Sequence, residues 1–149
     1  MNSFEQLIGN RILVSAVTGW FVAQILKTLI YTLMTKRFEP ERLVGSGGMP
    51  SSHSSTVCAM AAASGQIYGL GSFELAVRVI IAIIVMHDAM GVRLETGKQA
   101  KLINEIVETF KTMNGKTLAE EKLKEFVGHT PLQVLMGAIL GIAIGILIV

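Results

Sequence analysis

Charge is scarce in this chain of 149 residues: 16% is Asp, Glu, Lys or Arg, against 51% apolar. That balance excludes an ordinary soluble domain of this length. The net charge of +2 is small, and nucleic acid is not an expected partner. Cys58 is the only cysteine, so no intramolecular disulfide can form, and its small neighbours mark it as a packing residue. The chain has three histidines and neither a CxxC nor an HExxH pattern. A zinc site needs three or four protein ligands, so no metal and no cofactor are expected. A Gly-x-Ser-x-Gly elbow is missing as well, which weighs against a serine hydrolase. Low-complexity stretches and soluble-domain repeats are likewise missing.

What is present is apolar length. Four runs, at about 11–33, 53–70, 73–91 and 131–149, approach the roughly 20 residues that cross a bilayer. The second is the least hydrophobic, carrying Ser54, Ser55, Ser64 and Gln66. The first lacks a basic leader and is too long for a signal core, so it is expected to remain as a span. The expected fold class is all-α: one domain, 1–149, forming an integral membrane bundle of about four transmembrane helices.

Four spans place both termini on one side. Segments 35–52 and 92–130 fall on the other, with Lys36, Arg37, Arg42, Arg93, Lys98, Lys101, Lys111, Lys116, Lys122 and Lys124. The terminal side offers only Arg11 and Arg78. The positive-inside rule makes the loaded side cytoplasmic, with the termini outside and the plasma membrane as the expected location. Lys27, His53, Asp88, Arg93 and His129 then all fall at that cytoplasmic face, although they are scattered along the chain. One site is expected there.

Between the third and fourth runs, Leu102, Ile103, Ile106, Val107, Phe110 and Met113 recur at three- and four-residue steps among charged residues. That spacing predicts an amphipathic helix, either in the headgroup zone or packed on the bundle as a hairpin. Asn114-Gly115 ends it, and Thr117 with Glu120 predicts a capped second helix over 118–127. Gly137, Gly141 and Gly145 form a small-residue stripe that can pack inside the protomer or join a homo-oligomer.

Gly45-Ser46-Gly47-Gly48-Met49-Pro50-Ser51-Ser52-His53 is the richest stretch. Its glycines can turn backbone N–H groups toward an anion, and Pro50 with Ser51 or Ser52 suits a helix start. Gly128-His129-Thr130-Pro131 opens another helix 76 residues after His53. Helix starts favour anions through free N–H groups and the helix dipole, and the anion expected here is phosphate. Gln24 and Lys27 share a face of the first span, where a lysine must either snorkel or meet an anion. Asp88 can pair with Arg93, or Arg93 can clamp phosphate bidentately. His87 reads as a neutral packed side chain.

At these residues the chain resembles the type 2 phosphatidic acid phosphatase superfamily, related to vanadium haloperoxidases. The superfamily carries a Lys/Arg motif, a Pro-Ser-Gly-His motif and an Arg-His motif whose His is followed four residues later by Asp. Pro50-Ser51-Ser52-His53 is similar to the second, and His129 with Gln133 to the third. Gly-Gly-Met-Pro-Ser-Ser-His and Asp-Ala-Met-Gly-Val-Arg together look like its divergent subfamily. The resemblance implies metal-independent phosphoester hydrolysis or transfer through a phosphohistidine, on a phosphorylated lipid among the membrane lipids. It implies His129 as nucleophile, His53 as general acid, and Gln133 where the superfamily's Asp orients the nucleophile. Lys27 and Arg93 would hold the phosphoryl oxygens, with Gly47, Gly48, Ser51, Ser52 and Asp88 around them. The chain departs from the pattern at Gln133, at Leu123 where an Arg is expected, and at Met34, where an Arg-Pro pair is expected seven residues after Lys27. Two other readings stay open: a membrane protein that binds an anionic headgroup or a partner without turnover, and a small oligomeric transporter.

Overall fold

A computed structural model describes residues 2–38, 40–43, 45, 47–114, 123 and 128–149. It is helical throughout the described residues: α1 (Ser3–Gly9), α2 (Arg11–Thr35), a 3-10 turn (Pro40–Leu43), α3 (Ser52–Tyr68), α4 (Phe73–Met90), α5 (Val92–Asn114) and α6 (Pro131–Ile148). Among the described residues three stretches are long and apolar enough to cross a membrane: Arg11–Thr35, Phe73–Met113, in which α4 leads through Gly91 into α5, and Pro131–Ile148. The predicted second span, α3, falls short of that standard. Its 17 residues extend ~25 Å, somewhat less than the ~30 Å hydrocarbon core.

The polar, small composition of α3 explains its position. It lies at the centre, packed against α2, α4 and α6, while α2 and α4 make no close approach to each other. Ser54, Ser55, Ala59, Ala63 and Ser64 are fully buried, and their small side chains let neighbouring backbones come close. The Ser55 hydroxyl donates to the Gly19 carbonyl on α2 at 2.8 Å. On the other side, Gly137 meets Ser51, Gly141 meets Ser55 and Gly145 meets Ala59. Turn matches turn in ascending order, so α6 runs parallel to α3. The glycine stripe is therefore buried against α3 and the Ser51 cap. Lys27 of α2 instead packs on Gly48 just before α3, and Gly19 packs beside Ser55 and Ala59, which makes α2 antiparallel to both. Arg11 closes the far end by donating to the Val149 carbonyl at 2.8 Å.

Local signals set the ends. Ser51 caps α3 by accepting from the Ser54 N–H, and Ser72 caps α4 through the Leu75 N–H. The α1 helix was not expected from sequence; an Asn2–Glu5 capping box starts it. The amphipathic helix begins earlier than its apolar period suggested, at Val92, and its apolar residues Leu102, Ile103, Ile106, Phe110 and Met113 are exposed. The predicted turn at Gly115 and the helix over 118–127 lie outside the described residues, apart from Leu123. That residue exchanges two backbone hydrogen bonds with the Asn104 side chain at 2.9 and 3.0 Å.

Candidate functional site

The alternating directions of α2, α3, α4 and α6 bring four helix ends to one face. There the starts of α3 and α6 are joined directly: the Ser51 N–H donates to the Gln133 carbonyl at 3.0 Å. The end of α4 is tied in by the His129 N–H, which donates to the Ala89 carbonyl at 2.9 Å. Gly128 makes this junction possible. Its φ is +96°, and a Cβ there would strike the backbone of Arg93 and Leu94.

These ties bring the two histidines together. His53 Nδ1 and His129 Nε2 are 3.4 Å apart, with the rings edge to face at 5.6 Å between centroids. His129 is 1% exposed, whereas His53 is half-buried and lines a cavity of about 350 Å³. Burial, then the charge of His53, pushes the His129 imidazole down to about 4. The nearby Gln133 side chain and Gly48 backbone pull the other way and do not offset this. His129 is therefore a neutral imidazole at ordinary pH, as a nucleophile must be.

Positive charge surrounds the pair. Lys27 is 2% exposed, and its ammonium donates to the Gly45 carbonyl at 2.6 Å. Burial, then the charges of Arg93 and Lys27, hold the His53 imidazole below its ordinary value, while the Asp88 carboxylate pulls the other way. The two parallel helices α3 and α6 add their N-terminal dipoles at the same place. A buried ammonium beside two helix starts is a setting that an anion stabilises.

Several expected site residues hold other positions. Gln133 does not orient His129 through a hydrogen bond of good geometry. Its side-chain oxygen accepts from the Thr130 N–H at 3.0 Å, and Thr130 returns a bond to the Gln133 N–H, a capping box that starts α6. The enclosed Nδ1 of His129 accordingly has no partner in hydrogen-bond geometry. Asp88 is engaged with Arg93 in an ion pair at 2.6 Å, with both side chains nearly half exposed. Ser51 is buried beneath the site as the α3 cap, while Ser52 lines the cavity. Gly47 and Gly48 both have positive φ, and Gly48 packs on the Lys27 stem, where a Cβ would come within 2.9 Å. His87 lies on the exposed face of α4 instead of being packed, and it is outside the site.

The structure also adds residues that the motifs did not mark. Gln24 and Trp20 of α2, Val57 of α3 and Val85 of α4 line the same cavity. Gln24 had a sequence signal, its shared face with Lys27. Trp20 and the two valines had none, because apolar residues on a span look alike until the helices are packed. Among the described residues no group of His, Cys, Asp and Glu could hold a metal ion.

The chain is 34% identical over 146 residues to an uncharacterized membrane protein, YuiD, of Bacillus subtilis (strain 168), the match covering 92% of each chain. No solved structure gives a significant match. The sequence pattern of one family spans residues 8–144, taking in α2, the glycine-rich stretch, His53 and His129, and α6 as far as Ile144. This helical membrane protein belongs to the Divergent PAP2 family.

Proposed function

We propose that the paired histidines catalyse metal-independent transfer of a phosphoryl group from a lipid phosphomonoester to water, at the cytoplasmic face of the membrane. The observation that carries this reading is the 3.4 Å approach of His53 Nδ1 to His129 Nε2, from helix starts 76 residues apart in sequence, beside a buried lysine. Neutral His129 attacks phosphorus through Nε2, the P–O bond to the lipid breaks, and His53 gives its proton to the departing alkoxide. Water then attacks phosphorus as the P–N bond breaks and its electron pair returns to His129 Nε2; His53 takes up the water's proton, and phosphate leaves with both histidines restored. Lys27 and the helix N-termini stabilise the charge on the phosphoryl oxygens as it develops. Arg93 joins them by turning from Asp88, with which it is only surface-paired.

The contact between the rings sets one requirement. An in-line phosphoryl group needs His129 at about 3–3.5 Å from phosphorus and His53 within about 3 Å of the leaving oxygen on the opposite side. The two nitrogens must therefore move well beyond 3.4 Å apart. His53, half-buried on the first turn of α3, is the ring with room to swing into the cavity. Phosphate release from a panel of lipid phosphates tests the reading: His129→Ala should abolish it with folded yield intact. Turnover preserved in that variant would remove His129 from the mechanism.

A second reading, binding an anionic headgroup without turnover, is favoured by the enclosed His129 and by the commitment of Gln133 to the α6 cap. Gln133→Asp separates the two. A carboxylate beside His129 Nδ1 should raise hydrolysis at least about tenfold if the site is a weakened enzyme, given the large effect of such orienting carboxylates. No gain, with lipid phosphate still bound, would favour the binder.

A further inference from the structure

The cavity beside His53 extends beyond what a phosphoryl group needs. Because α3 separates α2 from α4, the cavity forms a slot between those two helices, with α3 as its floor. Gln24, Ser52 and His53 line the end nearer Lys27; Trp20, Val57 and Val85 line the deeper end beside Thr56, whose hydroxyl is taken up by the Ser52 carbonyl at 2.7 Å. From the level of Lys27 to that of Trp20 is two helical turns, a descent of ~10 Å into the bilayer. A polar mouth over an apolar throat matches an amphiphile entered head first.

Gln24 marks the boundary between the two ends. It is 3% exposed, and its side-chain oxygen is buried with no hydrogen-bond partner. A buried acceptor left unmade is unfavourable, and a donor brought by the ligand would satisfy it. A phosphomonoester monoanion carries one such donor, its remaining P–O–H, and presents it one helical turn from Lys27. At about 350 Å³ the cavity is near the lower end of ligand pockets. It holds a phosphate and the proximal part of one slender chain, and the rest would lie in the bilayer.

A larger apolar cavity of about 460 Å³ lies between α3, α4 and α6, lined by Cys58, Gly65, Leu75 and Ile142 among others. It shares no residue with the phosphate site. Contacts of Cys58 with Ala82 and Met86 along the α3–α4 seam separate it from the slot. A chain leaving His53 therefore enters the slot and not this cavity.

Resting on the phosphate reading above, we infer that the ligand is a phosphomonoester of a single apolar chain. Its proximal segment lies in the α2–α4 slot against Trp20, Val57 and Val85, and Gln24 accepts from the protonated phosphate oxygen. The test is photolabelling of the purified full-length protein with dodecyl phosphate carrying a diazirine near mid-chain, with labelled residues identified by mass spectrometry. Inorganic phosphate serves as competitor.

Phosphate-competed label at or beside Trp20 is expected, with a several-fold loss in Gln24→Leu and in Val85→Trp. Ile83→Trp, which fills the other cavity, should label like the wild type. Phosphate-competed label on α6 near Ile142, or competed label at Trp20 that neither Gln24→Leu nor Val85→Trp diminishes, would overturn the slot and leave the phosphate reading standing. If phosphate competes with label nowhere, the phosphate reading fails and the slot assignment falls with it.

Discussion

Replacing Gly141 by alanine sets two effects of opposite sign against each other. Alanine is the better helix former by about 1 kcal/mol, so propensity alone would stabilise α6. The structure opposes this. A Cβ on Gly141 lands on the Ser55 carbonyl oxygen and comes within 2.9 Å of its carbonyl carbon and Cα. All three are backbone atoms of a helix packed on three sides, so they cannot turn aside as a flexible side chain would. Overpacking of this kind costs about 1–3 kcal/mol, and immovable neighbours place Gly141 at or above the upper end. The net effect is a loss of ~2 kcal/mol. At about 2–4 °C per kcal/mol for a chain of this size, the melting temperature in detergent should fall by ~4–8 °C. Gly9→Ala is the control, because nothing lies within 4 Å of a Cβ there. It should leave the melting temperature unchanged or slightly raised. A rise in Gly141→Ala of the size that propensity alone gives would refute the parallel α3–α6 packing. A change in oligomeric mass without loss of stability would return the stripe to an intermolecular role.

Three further outcomes are expected. The His129 ring takes its proton near pH 6.5 when unfolded and near 4 when folded, so the unfolded chain binds more protons in between, and His129 contributes stability above pH 6.5 that is lost on acidification toward pH 4. The full term is on the order of 3 kcal/mol, so His129→Asn should flatten the fall in melting temperature over that window, and an unchanged profile would contradict the burial of the neutral ring. Lys27→Met should weaken phosphate binding at least about tenfold while leaving thermal stability unchanged or raised, since a buried charge gives way to an apolar isostere; equilibrium binding intact in the variant would place the anion elsewhere. Met113→Cys, 77% exposed at the end of α5, should resist a membrane-impermeant thiol reagent in whole cells and react after lysis, with buried Cys58 giving little background. Ready labelling of intact cells would invert the topology and move the site to the outer leaflet.

The helices themselves were legible because their apolar runs are bounded by strong signals. Pro131 and Thr130 mark the start of α6, and the Gly69–Ser72 turn marks the hairpin between α3 and α4. The convergence of Lys27, His53, Arg93 and His129 followed from counting spans, since alternating direction alone puts those positions at one face. What the pattern could not supply was the partner of each group. A glycine stripe states that a close approach occurs and not which helix makes it; only the matching small residues, Ser51 at the α3 cap and Ser55 and Ala59 within α3, decide that. Thr130 and Gln133 carry the Thr-x-x-Gln spacing of a capping box, a signal overlooked because Gln133 also stands four residues after His129. The α1 helix had the same kind of signal in Asn2 and Glu5, within a segment too short to show periodicity. The 3.4 Å contact between the rings depends on side-chain rotamers, which no spacing encodes.

A phosphoryl group carried on His129 is the intermediate that the proposed reaction requires. The most direct measurement is residue-resolved mass spectrometry of the purified protein, quenched under alkaline conditions seconds after mixing with a long-chain lipid phosphate. A phosphoryl group is expected on His129, present in the wild type, absent in His129→Ala, and accumulating in His53→Ala with a lipid whose leaving group needs no proton. Phosphate released with no modification of His129 at any time, or modification of His53 instead, would contradict it.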